Sequence, residues 1–397
     1  MMKTIRDLDV KNKTIILRAN FDVPIKSGKI LDDSRIIENI PTIKYLITSK
    51  AKVLIISHLG RPQGKDKKLS LKPIAKYLEK SLHTHVKFLP DILNANVISE
   101  VSGLEPGKII IFENIRFYEE ESKNNFKFAK EIAKLGDYYV NEAFAVAHRA
   151  HASIDAITKY IPSFCGFSFE KEVEELSKVK DNPRHPFVVI IGGTKVKDKV
   201  HVIYNLLKKV DYLLVGGTSA STLLASEGYN VGSSIIDEDF LKNASDIIEK
   251  ASSKIFLPVD VVVASSLKSR KPQIIDIPQV PTKICSFGSI YDIGPKTIIQ
   301  WQNIIKTART IFWSGPLGVF EKTAFSKGTR AIAKSVSSNP NQTVIGGGDT
   351  ESAISKFRIR KFTHISTSGS AMLDFVAGED LPGVVGLDIG LDNCKLR

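Results

Sequence analysis

The chain contains little cysteine and no long apolar run. Only three of its 397 residues are cysteine (Cys165, Cys285 and Cys394). This odd number, without any CxxC spacing, argues against a disulfide framework and against a structural zinc site. No stretch approaches the roughly 18 apolar residues of a membrane helix, and the polar N-terminus lacks the apolar core of a secretory signal. We therefore predict a cytoplasmic protein.

Several widespread motifs are also absent. There is no G-x-x-x-x-G-K-[ST] segment, which argues against a P-loop, and no G-x-G-x-x-G after the first strand, which argues against a dinucleotide fold or a protein-kinase loop. A G-x-S-x-G nucleophile elbow is missing too. His148 and His151 lie three residues apart without a third ligand nearby. Contact with an anion or a buried hydrogen bond is therefore a better interpretation of this pair than a metal site.

Acidic residues are fewer than basic residues, and the formal net charge is +13. A basic protein can bind nucleic acid, or it can attract small anionic substrates through its summed field. The lysines are scattered along the chain, and we find no zinc finger, no RNP-like aromatic motif and no basic tail. We predict small-molecule substrates and no specific nucleic acid, although the charge alone does not decide between the two.

The chain alternates short β-branched runs with amphipathic helical stretches, a pattern typical of parallel sheets built from βαβ units. At about 150 residues per domain, the length suggests two or three domains. Strands are predicted in two series, 14–19, 52–57, 86–89, 108–113 and 138–141, then 187–191, 212–215, 254–257, 310–313, 342–345 and 364–367. The fold class is therefore α/β, with two doubly wound, mostly parallel-sheet (Rossmann-like) domains.

Between the two series lies a charged amphipathic run, residues 169–183, which ends at prolines. Its position favours a linker helix, and one more surface helix is the alternative. The predicted domains are residues 1–168 together with 378–397, and residues 184–377. The closing segment has no evident place in the second sheet and is expected to pack on the first domain.

Ligands of open parallel sheets bind beyond the carboxyl ends of the strands. In the first half, those positions carry cationic or potentially cationic side chains, namely Arg18, Arg35, His58, Arg61, Arg116, His148, Arg149 and His151. Arginine is suited to a bidentate grip on phosphate or carboxylate. One such residue is more often a structural ion pair, but four loops at one edge favour a polyanionic ligand.

In the second half, the same positions carry glycines, in segments that begin at Gly192, Gly216, Ser314, Gly346 and Ser368. Glycine turns before a helix let backbone N–H groups approach a phosphate. An isolated Gly-Gly is more often a plain turn, but five such segments in one domain favour a nucleotide. Asp349 is a natural Mg²⁺ ligand, because hard divalent ions prefer oxygen, and Glu321 is placed to accept from ribose hydroxyls.

Together these segments resemble the phosphoglycerate kinase family along essentially the whole chain. The similar pieces, in order, are RANFDVP, DDSRI, SHLGRP, FENIRF, VNEAF, AHRAHAS, IIGGTKVKDK, LPVDVVVA, DIGPKT, SGPLGVFE, GGGDT and STSGS. The resemblance implies an N-terminal domain for 3-phosphoglycerate or 1,3-bisphosphoglycerate and a C-terminal domain for Mg-ADP or Mg-ATP. It also implies a hinge that brings them together, and a single chain acting as a monomer.

The resemblance also implies roles for individual residues. Substrate binding falls to Asn20, Asp22, Arg35, His58, Leu59, Gly60, Arg61, Arg116 and Arg149, and the catalytic residues would be Arg35 and Lys195. Nucleotide binding falls to Gly193, Lys195, Lys199, Gly216, Gly217, Pro316, Glu321, Gly347, Gly348, Asp349 and Thr350, with Asp349 on Mg²⁺. Because the acceptor in the ATP-consuming direction is a carboxylate, ionised at neutral pH, no general base is required.

The sequence departs from the family pattern at a few positions. Acid and amide are exchanged at Asn20 and Asp22, and Glu142 replaces the usual aspartate. Serine stands at 314, where asparagine is usual, and at 368 and 370, where glycine is usual. If those two glycines adopt a positive φ, serine there is strained. The alternative function is therefore an impaired homologue that binds nucleotide and phosphoglycerate without transfer.

Overall fold

A computed structural model describes residues 2–193, 200–251, 253–279, 284 and 288–388. The elements of the first half are β1 (Thr14–Arg18), β2 (Ile25–Lys26), β3 (Lys29–Ile30), α1 (Ser34–Thr48), β4 (Lys52–Ile56), α2 (Lys72–Leu82), β5 (Val86–Leu89), α3 (Ala95–Ser102), β6 (Ile109–Phe112), α4 (Glu119–Ser122), α5 (Phe126–Ala133), β7 (Tyr138–Asn141), β8 (Ser163–Cys165) and α6 (Phe167–Lys180).

The elements of the second half are β9 (Phe187–Ile191), α7 (Val200–Leu207), β10 (Tyr212–Val215), α8 (Gly217–Ser226), α9 (Glu238–Ala251), β11 (Ile255–Phe256), β12 (Asp260–Ala264), β13 (Gln273–Asp276), β14 (Ser289–Ile293), α10 (Pro295–Thr307), β15 (Thr310–Ser314), α11 (Lys327–Ser338), β16 (Gln342–Gly346), α12 (Gly348–Phe357), β17 (His364–Ser366), α13 (Gly369–Ala377) and α14 (Pro382–Asp388).

Contacts between Cα atoms divide the chain into two compact units. Unit 1 comprises Met1–Glu174 and Asp380–Arg397, and unit 2 comprises Glu175–Glu379. The division falls inside α6, the helix that the sequence predicted over 169–183. Unit 1 is thus made of two separate stretches of chain, whereas unit 2 is continuous.

Unit 1 is built on a six-stranded sheet in the order β5-β6-β4-β1-β7-β8, with every neighbouring pair parallel. Strand β6, Ile109–Phe112, is apolar and buried along its whole length, as expected for a parallel strand that is covered on both faces. Helix α14 packs in this unit, where the Gly383 amide donates to the Ala147 carbonyl at 2.9 Å.

Unit 2 contains a second six-stranded parallel sheet in the order β11-β10-β9-β15-β16-β17. All six of these strands were predicted, with small differences at their ends. A three-stranded antiparallel sheet, β13-β12-β14, was not predicted and adds to this unit. The two parallel sheets confirm the α/β doubly wound fold class. No helix within the described ranges is long and apolar enough to cross a membrane.

Candidate active site

In unit 1, the carboxyl ends of four strands meet at one edge of the sheet. The register pairs Arg18 at the end of β1 with Ile56 of β4 on one side and with Asn141 of β7 on the other. Strand β6 lies beyond β4. The loops that follow these ends therefore share one edge, which we call the cradle. It contains the predicted residues Asn20, Asp22, Arg35, His58, Leu59, Gly60 and Arg116.

Asp22 joins three segments of the cradle. Its Oδ1 accepts from the Gly60 amide at 2.8 Å, and its backbone carbonyl accepts from Arg35 at 2.7 Å. Its Oδ2 lies 3.8 Å from the Arg35 guanidinium and 3.9 Å from His58 Nε2. The exchanged acid at position 22 thus organises the loops. Gly60, at φ +63°, occupies the left-handed region that favours glycine.

Asn20, the other exchanged residue, is buried at 4% exposure. Its amide N–H donates to Asn39 Oδ1 at 3.1 Å, but its own Oδ1 has no hydrogen-bond partner among the described residues. Buried polar atoms are nearly always satisfied. This oxygen is therefore suited to accept from a ligand hydroxyl in the cradle.

His58 differs from the cation that the sequence suggested, because the structure fixes it as a neutral ring. It is 2% exposed, and both terminal nitrogens of Arg18 lie 3.3 Å from its Nδ1. Arginine can only donate, so Nδ1 accepts and the proton resides on Nε2. Burial, and then the charges of Arg18 and Arg116, hold the pKa of His58 well below its ordinary value. His58 therefore offers an anion an N–H donor without a charge.

Arg18, one of the strand-end cations to which the sequence interpretation gave no individual role, lies behind the cradle. It is fully buried, its Nε donates to Ser153 Oγ at 2.7 Å, and its guanidinium lies 3.7 Å from Glu121. Ser153 in turn donates to the same carboxylate at 2.7 Å. This network holds Arg18 behind His58, and an arginine at the end of a run of three apolar residues in β1 was the available sequence signal.

The other predicted arginines, Arg61, Arg116 and Arg149, belong to the loops that follow β4, β6 and β7. Arg116 donates to the Gly60 carbonyl at 2.7 Å, and Arg149 donates through Nε to His148 at 3.3 Å. Burial, followed by the charges of Arg18 and Arg149, lowers the pKa of Arg116 to about 10. It stays protonated at neutral pH, and an incoming anion relieves this repulsion between like charges. Arg61, next to Gly60, is exposed.

In unit 2, the glycine loops after β9, β10 and β15 interlock. The Gly192 amide donates to the Ser314 carbonyl at 2.9 Å, and the Gly193 amide donates to the Pro316 carbonyl at 2.7 Å. A Cβ on Gly192 would lie 2.2 Å from the Pro316 oxygen, and one on Gly315 would lie 2.2 Å from the Gly192 oxygen. These glycines are required first of all so that the loops can pack against one another. Gly216 closes the same joint, donating to Ile191.

A cavity of about 610 Å³ opens beside these loops. Five predicted residues line it, namely Gly193, Gly217, Pro316, Glu321 and Asp349. Gly216, Gly347, Gly348 and Thr350 are not among its lining residues. The cavity is also lined by β14, to which the sequence interpretation gave no place in the site, and by residues of α8 beyond the predicted Gly217. Apolar walls with a few polar groups are typical of a small-molecule site.

Thr350, predicted to bind nucleotide, has a side chain that is engaged within the fold. It is fully buried, and its hydroxyl accepts from the Gly315 amide at 2.8 Å, so it joins α12 to the loop after β15. Gly347 precedes α12 with φ +96°, and a Cβ on Gly348 would meet nothing within 4 Å. The open first turn of α12 therefore remains accessible to an anion.

Asp349 fits the magnesium role. Its carboxylate is exposed and lies at the cavity wall in the first turn of α12. The described part of the chain contains no cluster of three His, Cys, Asp or Glu side chains that could hold a metal by itself. Mg²⁺ is usually bound through one or two carboxylates together with substrate phosphates and water. A single carboxylate beside an anion-binding turn matches that donor set.

Asp292, in β14 of the antiparallel sheet, connects this sheet to α11 at the wall of the cavity. It lines the cavity at 2% exposure, and its Oδ2 accepts from the Gly328 amide at 2.8 Å at the start of α11. Its Oδ1 accepts from the Ile293 amide at 3.0 Å. Burial raises the pKa of Asp292 to about 7, although these amides act in the opposite direction.

The serines that replace family glycines are not strained. Ser368 has φ −110°, and Ser370 lies inside α13. Neither residue is among the described positions with positive φ. The condition under which serine would be strained is therefore not met. Lys195 and Lys199, predicted at the phosphates, lie outside the described residues.

Comparison with known proteins supports the same identification. The sequence model of the family described as "Phosphoglycerate kinase" matches residues 5–379. A phosphoglycerate kinase of Finegoldia magna is 46% identical over 97% of this chain and 99% of its own length. That of Coprothermobacter proteolyticus is 43% identical over 97% and 98%.

Solved structures give the same result. Phosphoglycerate kinase from Coxiella burnetii superposes with a TM-score of 0.86 at 39% identity, covering 98% of this chain and 99% of its own. The enzyme from Pyrococcus horikoshii OT3 gives 0.87 at 34% identity, covering 98% of both chains. The chain therefore belongs to the phosphoglycerate kinase family.

Proposed function

We propose that this protein transfers a phosphoryl group reversibly between 1,3-bisphosphoglycerate and Mg-ADP, giving 3-phosphoglycerate and Mg-ATP. The observation that carries the proposal is the presence, in one chain of this family, of an arginine-rich cradle in unit 1 and a glycine-lined cavity with Asp349 in unit 2. A sugar-acid phosphate matches the first in charge, and a nucleotide matches the second in size and polarity.

In the cradle, Asn20 Oδ1 and the His58 Nε2–H are an acceptor and a neutral donor for the glycerate end. Arg61, Arg116 and Arg149 supply positive charge for the phosphate that is not transferred, while Leu59 and Gly60 shape the loop. Arg35, in the first turn of α1, is the group of this unit that we assign to the transferring phosphoryl oxygens. Arginines in such roles are worth on the order of 10³ to 10⁵ in rate.

On the nucleotide side, Glu321 at the cavity wall accepts from the ribose, and the interlocked glycine loops present backbone to the phosphates. Lys195 and Lys199 would add positive charge there. Mg²⁺ held through Asp349 would supply charge neutralisation at the phosphate oxygens. Catalysis then rests on in-line positioning and electrostatic stabilisation, and no side chain is asked to remove a proton.

We also propose hinge closure, a monomeric state and a cytoplasmic location. Each unit carries one half of the machinery, and in-line transfer requires the two ligands to meet, so we expect hinge closure to accompany turnover. We also expect a monomer, because one chain supplies both halves, and a cytoplasmic location. Small-angle scattering with and without both ligands tests the closure and the oligomeric state together.

A coupled assay with Mg-ATP and 3-phosphoglycerate tests the function itself. We expect ordinary kinase turnover, roughly 1–100 s⁻¹, and a loss of at least about 10³-fold in kcat for Arg35→Ala. No turnover at saturating substrates, with both ligands bound in calorimetry, would contradict the proposal and favour the impaired homologue. The unstrained serines at 368 and 370 remove the structural reason for that alternative.

A further inference from the structure

Glu142 has no place among the ligand-binding residues, yet it is buried at the same sheet edge. It directly follows β7, and its amide donates to the Arg18 carbonyl at 3.0 Å. The side chain is 2% exposed. Its Oε1 accepts from the Thr42 hydroxyl and from the Ser168 amide, and its Oε2 accepts from the Phe169 amide at 2.9 Å. A buried carboxylate is costly unless it is partnered in this way.

These contacts cap the beginning of α6 from outside the helix. The first amides of a helix have no partner within it, and here those of Ser168 and Phe169 donate to Glu142. The amide of Phe167 donates to Thr42 Oγ1 at 3.0 Å. Gly166 precedes the helix and has no side chain to cap it, and a Cβ there would lie 2.3 Å from Glu142 Cδ. Glu142 thus takes the place of a local capping residue.

The other end of this arrangement reaches the cradle through α1. Arg35, Asn39 and Thr42 occupy positions i, i+4 and i+7 of α1, which lie on one face of a helix. Asn39 Nδ2 donates to the Arg35 carbonyl at 2.8 Å, and Asn39 Oδ1 accepts from the Asn20 amide at 3.1 Å. The same helix face therefore carries the ligand-contacting end and, two turns on, Thr42. We call Thr42, Glu142 and the amides of Phe167–Phe169 the α1–α6 clamp.

We propose that Glu142 is a positioning residue for the phosphoglycerate ligand, which it never touches. By tying Thr42 to the first turn of α6, it fixes α1 against the sheet edge and so places Arg35 and Asn20 in the cradle. The inference rests on the proposed function of the cradle. It also gives a reason for glutamate at this position, because the longer side chain reaches α6 across the space that Gly166 leaves.

Burial and hydrogen bonding act on the Glu142 carboxyl in opposite directions. Burial raises its pKa to about 7, opposed by the hydrogen bonds from Thr42, Phe169 and Ser168. The negative charge of Glu170, on α6, acts in the same direction as burial. Little water reaches this carboxylate, so its contacts are not replaced by solvent when one of them is removed.

Calorimetric titration with 3-phosphoglycerate in the absence of nucleotide tests the clamp. Glu142→Gln directs an amide group at backbone donors, and Thr42→Val removes one hydroxyl. Each is expected to raise the Kd for 3-phosphoglycerate at least about fivefold, with Mg-ADP affinity unchanged. The double variant is expected to bind 3-phosphoglycerate no more weakly than the weaker-binding single variant, because both changes break the same α1–α6 clamp. Thr48→Val, exposed on the same helix, is the matched control and should not change the Kd.

Glu142→Gln that loses stability but binds 3-phosphoglycerate like the wild type would overturn the inference, as would an equal loss for Mg-ADP. If Glu142→Gln does not fold, Thr42→Val decides in the same way. The proposed function fails separately. Wild-type protein that binds 3-phosphoglycerate but shows no turnover contradicts the function alone, whereas absence of binding overturns both.

Discussion

At the scale of single residues, the cradle depends on what lies behind its visible cations. Arg18, buried and held by Ser153 and Glu121, faces His58 and leaves the ring only one arrangement of protons. A neutral donor beside several guanidinium groups binds an anion without adding to their mutual repulsion. The sequence indicated the residue types at this edge, but a tautomer depends on a partner 40 positions away.

We expect His58 to stay neutral, with its proton on Nε2, through and well below pH 6.5, where an ordinary imidazole titrates. The reason is that the ring is buried and a proton on Nδ1 would face the Arg18 guanidinium. Long-range ¹⁵N–¹H correlation spectra of the imidazole nitrogens measure this directly, and the spectrum of His58→Gln assigns the signals. Titration of the His58 ring near pH 6.5 would contradict the geometry.

Glycines of unit 2 are predicted to differ in how much stability the protein loses when they are replaced by alanine. Gly192→Ala places Cβ 2.2 Å from the Pro316 carbonyl oxygen, so we expect a loss of about 1–3 kcal/mol in unfolding free energy. Gly348→Ala, where nothing lies within 4 Å, is the matched control and should stay within about 0.5 kcal/mol. Urea unfolding followed by tryptophan fluorescence measures both.

Trp301 and Trp313, the two tryptophans of the chain, are fully buried in unit 2. Their fluorescence therefore reports the unit that contains the substitutions. Equal stability of the two variants would show that the loops can separate without loss, and the account of their interlocking would then be wrong.

At the scale of elements, the parallel sheets could be predicted except for the three-residue strand β8, and the antiparallel sheet could not. Buried strands such as β6 and β9 are continuous apolar runs between turns, so period and length identify them. Strand β13 is mostly exposed, and its hydrophobic pattern does not distinguish it from a loop. The part of the cavity wall formed by β14 was also missed. Its position follows from tertiary pairing with β12 and not from local sequence.

Asp292, which links β14 to the start of α11, is predicted to make the free energy of unfolding depend on pH. The folded-state pKa of Asp292, about 7, lies above its ordinary value of 3.8. The folded state therefore binds the proton more tightly, and this contribution to stability is present at pH 4 and is lost as pH rises towards 7. We expect Asp292→Asn to flatten the decline in unfolding free energy between pH 4 and 7.

Denaturant titrations at several pH values, again read by the tryptophans, give the two curves to compare. The loss of a carboxylate oxygen shifts the variant's curve as a whole, so the slope and not the absolute value carries the test. Parallel curves for wild type and Asp292→Asn would mean that Asp292 does not titrate in this interval.

At the scale of the whole molecule, the net charge of +13 acts on substrates that are all anionic. The summed field is expected to speed their encounter with the protein, and salt weakens it. We predict that kcat/KM for 3-phosphoglycerate falls by a factor on the order of 10 between about 0.01 and 0.15 M ionic strength, as the Debye length shrinks from about 30 to 8 Å.

Sodium chloride and sodium acetate, compared at equal ionic strength, separate screening from competition by one anion for the cradle. Screening predicts the same curve for both salts. A kcat/KM that does not change with salt would show that the charge is dispersed over the surface without steering.

Helix α14 follows unit 2 along the chain but packs in unit 1. Because its Gly383 packs against Ala147, a ribosome that has already released residues 1–174 still holds an incomplete unit 1. Unit 2, continuous from 175 to 379, is synthesised in full before α14. The unit whose synthesis begins first is then the last to be finished, and during that interval chaperones would find the surface around Ala147 uncovered.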